Sequence, residues 1–84
     1  DVDDLVGTFP DSSADDVAAA VAAARAAQPA SAAMPAPRRG DVLFKAANLL
    51  EARADEIARE MTREEGKTVP EARGEVGRTI NILR

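Results

Sequence analysis

The sequence predicts a mainly α-helical chain of three or four helices with at most one short strand. Three observations carry this expectation. Apolar residues recur at three- and four-residue spacing through most of the 84 positions, the pattern of one helix face. Ser13 and Thr68 each stand three residues ahead of a carboxylate, Asp16 and Glu71, a spacing that lets side chain and backbone cap each other at a helix start. One β-prone run, Leu5-Val6-Gly7-Thr8-Phe9, finds no second run to pair with.

That run, residues 5 to 9, ends at Pro10-Asp11 and reads as a short strand or an extended lead-in. A helix follows from about 14 to 27, started by Ser13 and Asp16 and carried by alanine, the strongest helix former. Val17, Ala20, Val21 and Ala24 share one narrow stripe, expected to be a packing face for another backbone. Residues 29 to 37, PASAAMPAP, hold three prolines and predict an irregular connector, because proline pushes the residue before it out of the helical region.

The helical pattern resumes at Pro37 or Arg38. Leu43, Ala46, Ala47 and Leu50 face inward, while Arg39, Asp41, Lys45 and Asn48 lie largely outside. Ala54, Ile57, Ala58 and Met61 continue in phase, with Asp55 the expected point of a break, so the segment is one bent helix or two in succession. Gly66 closes it, as a glycine that takes the left-handed conformation at a helix end. Thr68 then caps the next helix, with Glu71 three residues on and Pro70 tolerated in the first turn. From about 69 onward, Ala72, Val76, Ile80 and Leu83 form its stripe. Gly74 and Gly77 inside it each cost about 1 kcal/mol against alanine, which points to close packing at those positions. No glycine, proline or polar cluster follows Leu83, so this helix reads as cut in mid-element.

Composition limits what such helices can enclose. Alanine supplies half of the apolar residues, and Phe9 and Phe44 are the only aromatics. Ordering costs about 1.5 kcal/mol per residue, so a chain with so few large apolar side chains is expected to be marginal alone and to be a piece of something larger. The formal charge of −4 disfavours nucleic acid and anionic membranes as partners. Without cysteine or histidine there is no disulfide, thiolate or imidazole chemistry. No apolar run approaches the length of about 18 residues needed to span a bilayer, and the opening DVDD is acidic rather than signal-like. The expected setting is the cytoplasm.

Glu64-Glu65-Gly66-Lys67-Thr68 resembles the end of a phosphate-binding loop. That loop needs a glycine five residues before its second glycine, and Met61 stands there. Two carboxylates beside Gly66 would also repel a triphosphate. The stretch is therefore expected to be a hinge between two helices. Glu60, Glu64 and Glu65 form an acidic group, but Arg59 and Arg63 alternate with them, which is the pattern of a surface charge network. Ser12, Ser13 and Thr68 have no histidine to activate them and read as caps; Lys45 or Lys67 would need burial to act as a base. Arg25, Arg38 and Arg39 suit either an anionic partner or ordinary salt bridges to nearby acids, and the acids favour the second. No residue is assigned to catalysis, to a cofactor or to a metal.

The ordered set DSSADDVAAAVAAARAA, then PxxRRGDVLFKAANLLEARADEIA, then EEGKTVPEARGEV and INILR resembles the N-terminal segment of the NAD(P)-dependent aldehyde dehydrogenase superfamily. The resemblance covers nearly the whole chain. It is most specific in the spacing from Arg39 through Ala46-Ala47 and Leu50 to Glu65-Gly66-Lys67, Glu71-Ala72 and Glu75-Val76. It implies that residues 1–84 are the N-terminal helical part of an α/β cofactor-binding domain, truncated at both ends, packed around a doubly wound sheet whose strands come later. The parent would oxidise an aldehyde to a carboxylic acid through a cysteine thiohemiacetal, with a glutamate base, an asparagine in the oxyanion site and hydride passing to NAD or NADP. None of those residues falls within this sequence, and Glu65, Gly66 and Lys67 take the place of a family motif whose role is structural.

The partners implied are the remainder of the dehydrogenase chain, a small aldehyde and further copies in a homo-oligomer; no cofactor is expected on these residues alone. Gln28 and Ser31 stand where relatives often carry an aromatic and a tryptophan, which removes two large anchors from the first connector. The opening DVDDLVGTFPDSS is similar to semialdehyde dehydrogenases such as the α-ketoglutaric semialdehyde type. The rival expectation is a freestanding helical interaction module.

Overall fold

The computed structural model describes residues 2–84. They form four helices, α1 (Ala14–Ala33), α2 (Ala36–Ala52), α3 (Ala54–Glu65) and α4 (Val69–Leu83), with no strand among the described residues. The run at 5 to 9 is the extended lead-in, not a strand. No helix among the described residues is long and apolar enough to cross a membrane.

α1 starts where the sequence places it. Asp16 donates its backbone N–H to Ser13 Oγ at 3.3 Å, and Ser13 N–H returns a bond to Asp16 Oδ2 at 2.8 Å. Its end departs from expectation, because the helix runs through Pro29 to Ala33. Proline in a helix forfeits one backbone bond, here the one to the Arg25 carbonyl. That carbonyl lies on an exposed helix where water can serve it, and the small residues after Pro29 carry the helix on. The connector shrinks to Met34 and Pro35. There the proline rule holds, since Met34 is extended at φ −66° and ψ 130°.

α2 and α3 are two helices, and the break falls at Arg53 rather than Asp55. Arg53 sits at φ −111° and ψ 14°, between the two helices. Its guanidinium forks onto Glu56, at 3.0 and 2.9 Å. Asp55 instead occupies the first turn of α3, where a carboxylate suits the positive end of the helix dipole, and pairs with Arg73 of α4 at 2.8 Å.

The core lies where α2 and α3 each meet α4. Ala47, Ala58, Ala72, Val76 and Ile80 are buried, and Leu50, Ala54, Ile57, Met61 and Leu83 pack around them. Three of the five buried residues are alanines, so the helices approach closely but enclose little apolar volume. The α3 and α4 stripes match expectation at every position; on α2, Leu43 stays half exposed.

The stripe of α1 does not pack: none of its 20 residues is buried. Gly74 and Gly77 also depart from expectation, because a Cβ at either would meet nothing within 4 Å. The extents are 47 × 34 × 15 Å and the radius of gyration is 17.0 Å, against about 12 Å for a compact chain of this length. A thickness of 15 Å is little more than one helix, whereas a folded domain stacks at least two layers.

Candidate functional site

The α3–α4 hinge gathers the residues that the sequence singles out, and each has an internal task. Gly66 stands at φ 81° and ψ 7°, the left-handed conformation, and its N–H donates to the Thr62 carbonyl at 2.9 Å. Thr68 N–H donates to Glu71 Oε2 at 3.1 Å, Thr68 Oγ1 donates to the same oxygen at 2.7 Å, and Glu71 N–H donates to Thr68 Oγ1 at 3.4 Å. Lys67 Nζ pairs with Glu65 at 3.0 Å and with Glu75.

A phosphate cradle needs free amides and a free ammonium converging on one point. Here the amides of Gly66 and Thr68 and the Lys67 ammonium are turned onto the chain's own carbonyl and carboxylates. Met61 belongs to the rim of the core rather than to a loop. The hydrogen bonds to Glu75, and then to Glu65, push the Lys67 ammonium above its ordinary pKa. A lysine base requires the opposite shift. The hinge is built to set one helix against the next.

The remaining candidates sort by contact. Glu65 belongs to the Lys67 pair. Glu60 and Glu64 line a groove of about 300 Å³ with Arg63 and with Val6, Gly7 and Phe9 of the lead-in. Arg63 also holds that lead-in by pairing with Asp4 at 2.8 Å. Ser13 and Thr68 are caps as expected, and each holds its partner carboxylate below the usual range: Asp16 through the Ser13 backbone N–H and then its hydroxyl, Glu71 through the Thr68 hydroxyl and then its backbone N–H. Ser12 precedes the cap and does not serve as one. Arg25, Arg38 and Arg39 overturn the salt-bridge expectation: among the described residues none of them enters an ion pair.

Four long-range ties escaped sequence reasoning: the Arg63–Asp4 and Arg73–Asp55 pairs already described, and two more. Glu75 lies eight residues from Lys67, a spacing with no meaning in a continuous helix; only the sharp turn at Gly66 brings them together. Arg84 bonds Asn48 at 3.1 Å and pairs with Glu51 at 2.5 Å, fastening the end of α4 to α2. Such long-range pairs carry no periodic signal.

The sequence profile of the Aldehyde dehydrogenase family matches residues 2–84. The chain belongs to the aldehyde dehydrogenase family. It is 49% identical to an α-ketoglutaric semialdehyde dehydrogenase of Bacillus subtilis (strain 168), over 84 residues that are 100% of this chain and 17% of the relative. An α-ketoglutarate semialdehyde dehydrogenase of Haloferax volcanii is 46% identical over 80 residues, 95% of this chain and 17% of its own length. The NADP(+) succinate-semialdehyde dehydrogenase GabD of Escherichia coli (strain K12) is 41% identical over 80 residues, again 17% of its length. The chain thus spans about a sixth of these aldehyde dehydrogenase relatives. No solved structure matches it.

Proposed function

We propose that these residues are the N-terminal helical part of the cofactor-binding domain of an enzyme that oxidises a semialdehyde to the carboxylic acid, with NAD or NADP accepting the hydride. The observation that carries this reading is the 49% identity across all 84 residues to an α-ketoglutaric semialdehyde dehydrogenase. The substrate class follows from the same source, since the relatives act, by their names, on α-ketoglutaric, malonate and succinate semialdehydes.

Within that enzyme, residues 1–84 are structural. The hinge spends its donors on itself, so the dinucleotide is held by residues outside this chain, and so are the nucleophile and base. The whole enzyme is a cytoplasmic homo-oligomer. Its test is to purify the full-length protein and follow cofactor reduction with α-ketoglutaric, succinate and malonate semialdehydes in turn. Reduction of NAD or NADP with the first substrate preferred is the expected result. No cofactor reduction with any semialdehyde would sink the proposal, and preference for another member of the set would correct the substrate while leaving the reaction.

A further inference from the structure

Arg38, Val42, Lys45 and Leu49 are spaced four, three and four residues apart on α2, so they share one flank of the helix, with Arg39 beside them. This flank lies opposite Ala47, which is buried against the core. Val42 is 58% exposed and Leu49 is 69% exposed. Arg38, Arg39 and Lys45 enter no ion pair among the described residues, although Asp41 stands four residues before Lys45. A chain with a net charge of −4 therefore holds one strip on which cationic and apolar side chains alternate, with Asp41 at its margin.

The start of α2 adds to the imbalance. α1, α3 and α4 each carry a carboxylate in the first turn, as the helix dipole favours. α2 has none there, and no side chain caps its first amides; Arg38 and Arg39 are added to an end that is already positive.

We propose that this flank of α2 is the docking surface for an acidic, amphipathic segment of the same longer polypeptide, lying outside residues 1–84. The proposal rests on reading these residues as part of a longer dehydrogenase. Charge complementarity selects the occupant's character: carboxylates to face Arg38, Arg39 and Lys45, apolar side chains to cover Val42 and Leu49. Its source follows from length, since the match to relatives runs through the whole chain yet accounts for 17% of theirs. Ser31 and Met34 at the end of α1 border Arg39 and Val42, yet Val42 and Leu49 stay more than half exposed.

The test uses the full-length protein. Treatment with a zero-length carbodiimide joins contacting amines and carboxylates, and peptide mapping should find Lys45 joined to an Asp or Glu outside residues 1–84 within one subunit. Separately, Val42→Cys and Leu49→Cys variants are labelled with a maleimide and read site by site. Each should react about a hundredfold more slowly than in the unfolded protein, at every protein concentration. An Arg39→Glu, Lys45→Glu double variant should recover at least about tenfold of that rate, while Arg39→Lys, Lys45→Arg should not.

Lys45 crosslinks confined to residues 1–84 overturn the proposal, and so does labelling at the unfolded rate. Protection lost on dilution points instead to a second copy. Protection appearing only with added anionic vesicles or nucleic acid points to those partners. Cofactor-linked semialdehyde oxidation with an unprotected α2 would leave the proposed activity standing and remove this inference alone; a protected α2 without oxidation would do the reverse.

Discussion

α1 and α4 begin with the same device and end in different states. Ser13 with Asp16 and Thr68 with Glu71 form the same reciprocal cap, yet α4 buries Ala72, Val76 and Ile80 while α1 buries nothing along 20 residues. Capping and propensity determine where a helix starts. The size and spacing of apolar side chains determine whether it has anything to bury. In α1 the stripe reads Val17, Ala20, Val21, Ala24, and in α4 it reads Ala72, Val76, Ile80, Leu83. Two large residues in the second half of the α4 stripe make the difference.

Cutting the α4 stripe should have the largest effect. Ile80 is 6% exposed, and Ile80→Ala removes its buried methyls and leaves a gap, at about 3 kcal/mol. Val21 is 51% exposed, and Val21→Ala should change the stability of the isolated chain by less than about 0.5 kcal/mol. Denaturant melts followed by circular dichroism compare the two. Equal losses would mean that α1 shares the core after all. If the full-length protein covers α1, the same Val21→Ala change should cost more there than in the isolated chain.

The second test makes one chemical change at two glycines. Gly66 is held at φ 81° with nothing within 4 Å of an added Cβ, so Gly66→Ala suffers only from backbone conformation. It should destabilise by about 1 kcal/mol. Gly74 lies in helical conformation with equally open surroundings. There alanine should stabilise the isolated chain by about 1 kcal/mol, because it restores helix propensity. Opposite shifts in melting temperature are the expected result. A loss at both positions in the full-length protein would show that another backbone packs against Gly74, the close approach that the sequence suggests and the described residues do not supply.

Legibility in the sequence followed the range of the interaction. Gly66, both capping boxes and the stripes of α3 and α4 were readable, because each depends on residues within a turn or two. The end of α1 was misread at Pro29, where the bias of a residue before proline against the helical region is a preference that this alanine-rich helix overrides, its freed carbonyl open to water. The break at Arg53 was placed two residues late, since Asp55 favours a helix start without being the residue that leaves the helix. The ion pairs of Lys67 with Glu75 and Arg84 with Glu51 join residues that only the folded angle between helices brings close. Arg38 and Arg39 were misassigned because Asp41, the one acid within a turn of them on α2, pairs with neither among the described residues.

A smaller effect should follow from acid. Asp16 and Glu71 both have lowered pKa values, Asp16 chiefly from the Ser13 backbone N–H and Glu71 chiefly from the Thr68 hydroxyl. Their contribution is therefore present above the ordinary values of 3.8 and 4.5, and it is lost as the pH falls through the lower folded values. Both caps weaken together, but only α4 has a core to hold it. Amide exchange across an acid titration should show α1 opening first from its N-terminus and α4 persisting. Asp16→Ala should remove the pH dependence of α1, whereas Ser13→Ala, which keeps the backbone N–H, should remove only the smaller part owed to the hydroxyl; persistence of that dependence in Asp16→Ala would place its origin elsewhere.

The smallest effect is expected at Lys67, the residue that most resembles part of a nucleotide site. Its ammonium is committed to Glu65 and Glu75, and those pairs span solvent-facing carboxylates with 50% and 55% side-chain exposure. Exposed pairs of this kind add little to stability. Lys67→Ala should lower the melting temperature of the full-length protein by less than Gly66→Ala does. Because the ammonium faces its own chain rather than a ligand, cofactor affinity should stay within about threefold, well short of the tenfold that marks a lost charged contact. The raised pKa of Lys67 adds a direction: its contribution is fully present below the ordinary value of 10.5 and fades as the pH rises through the higher folded value. A Lys67→Ala variant that melts like the parent protein but binds the dinucleotide tenfold more weakly would show that the hinge reaches the cofactor, and that its inward-turned donors rearrange when the nucleotide arrives.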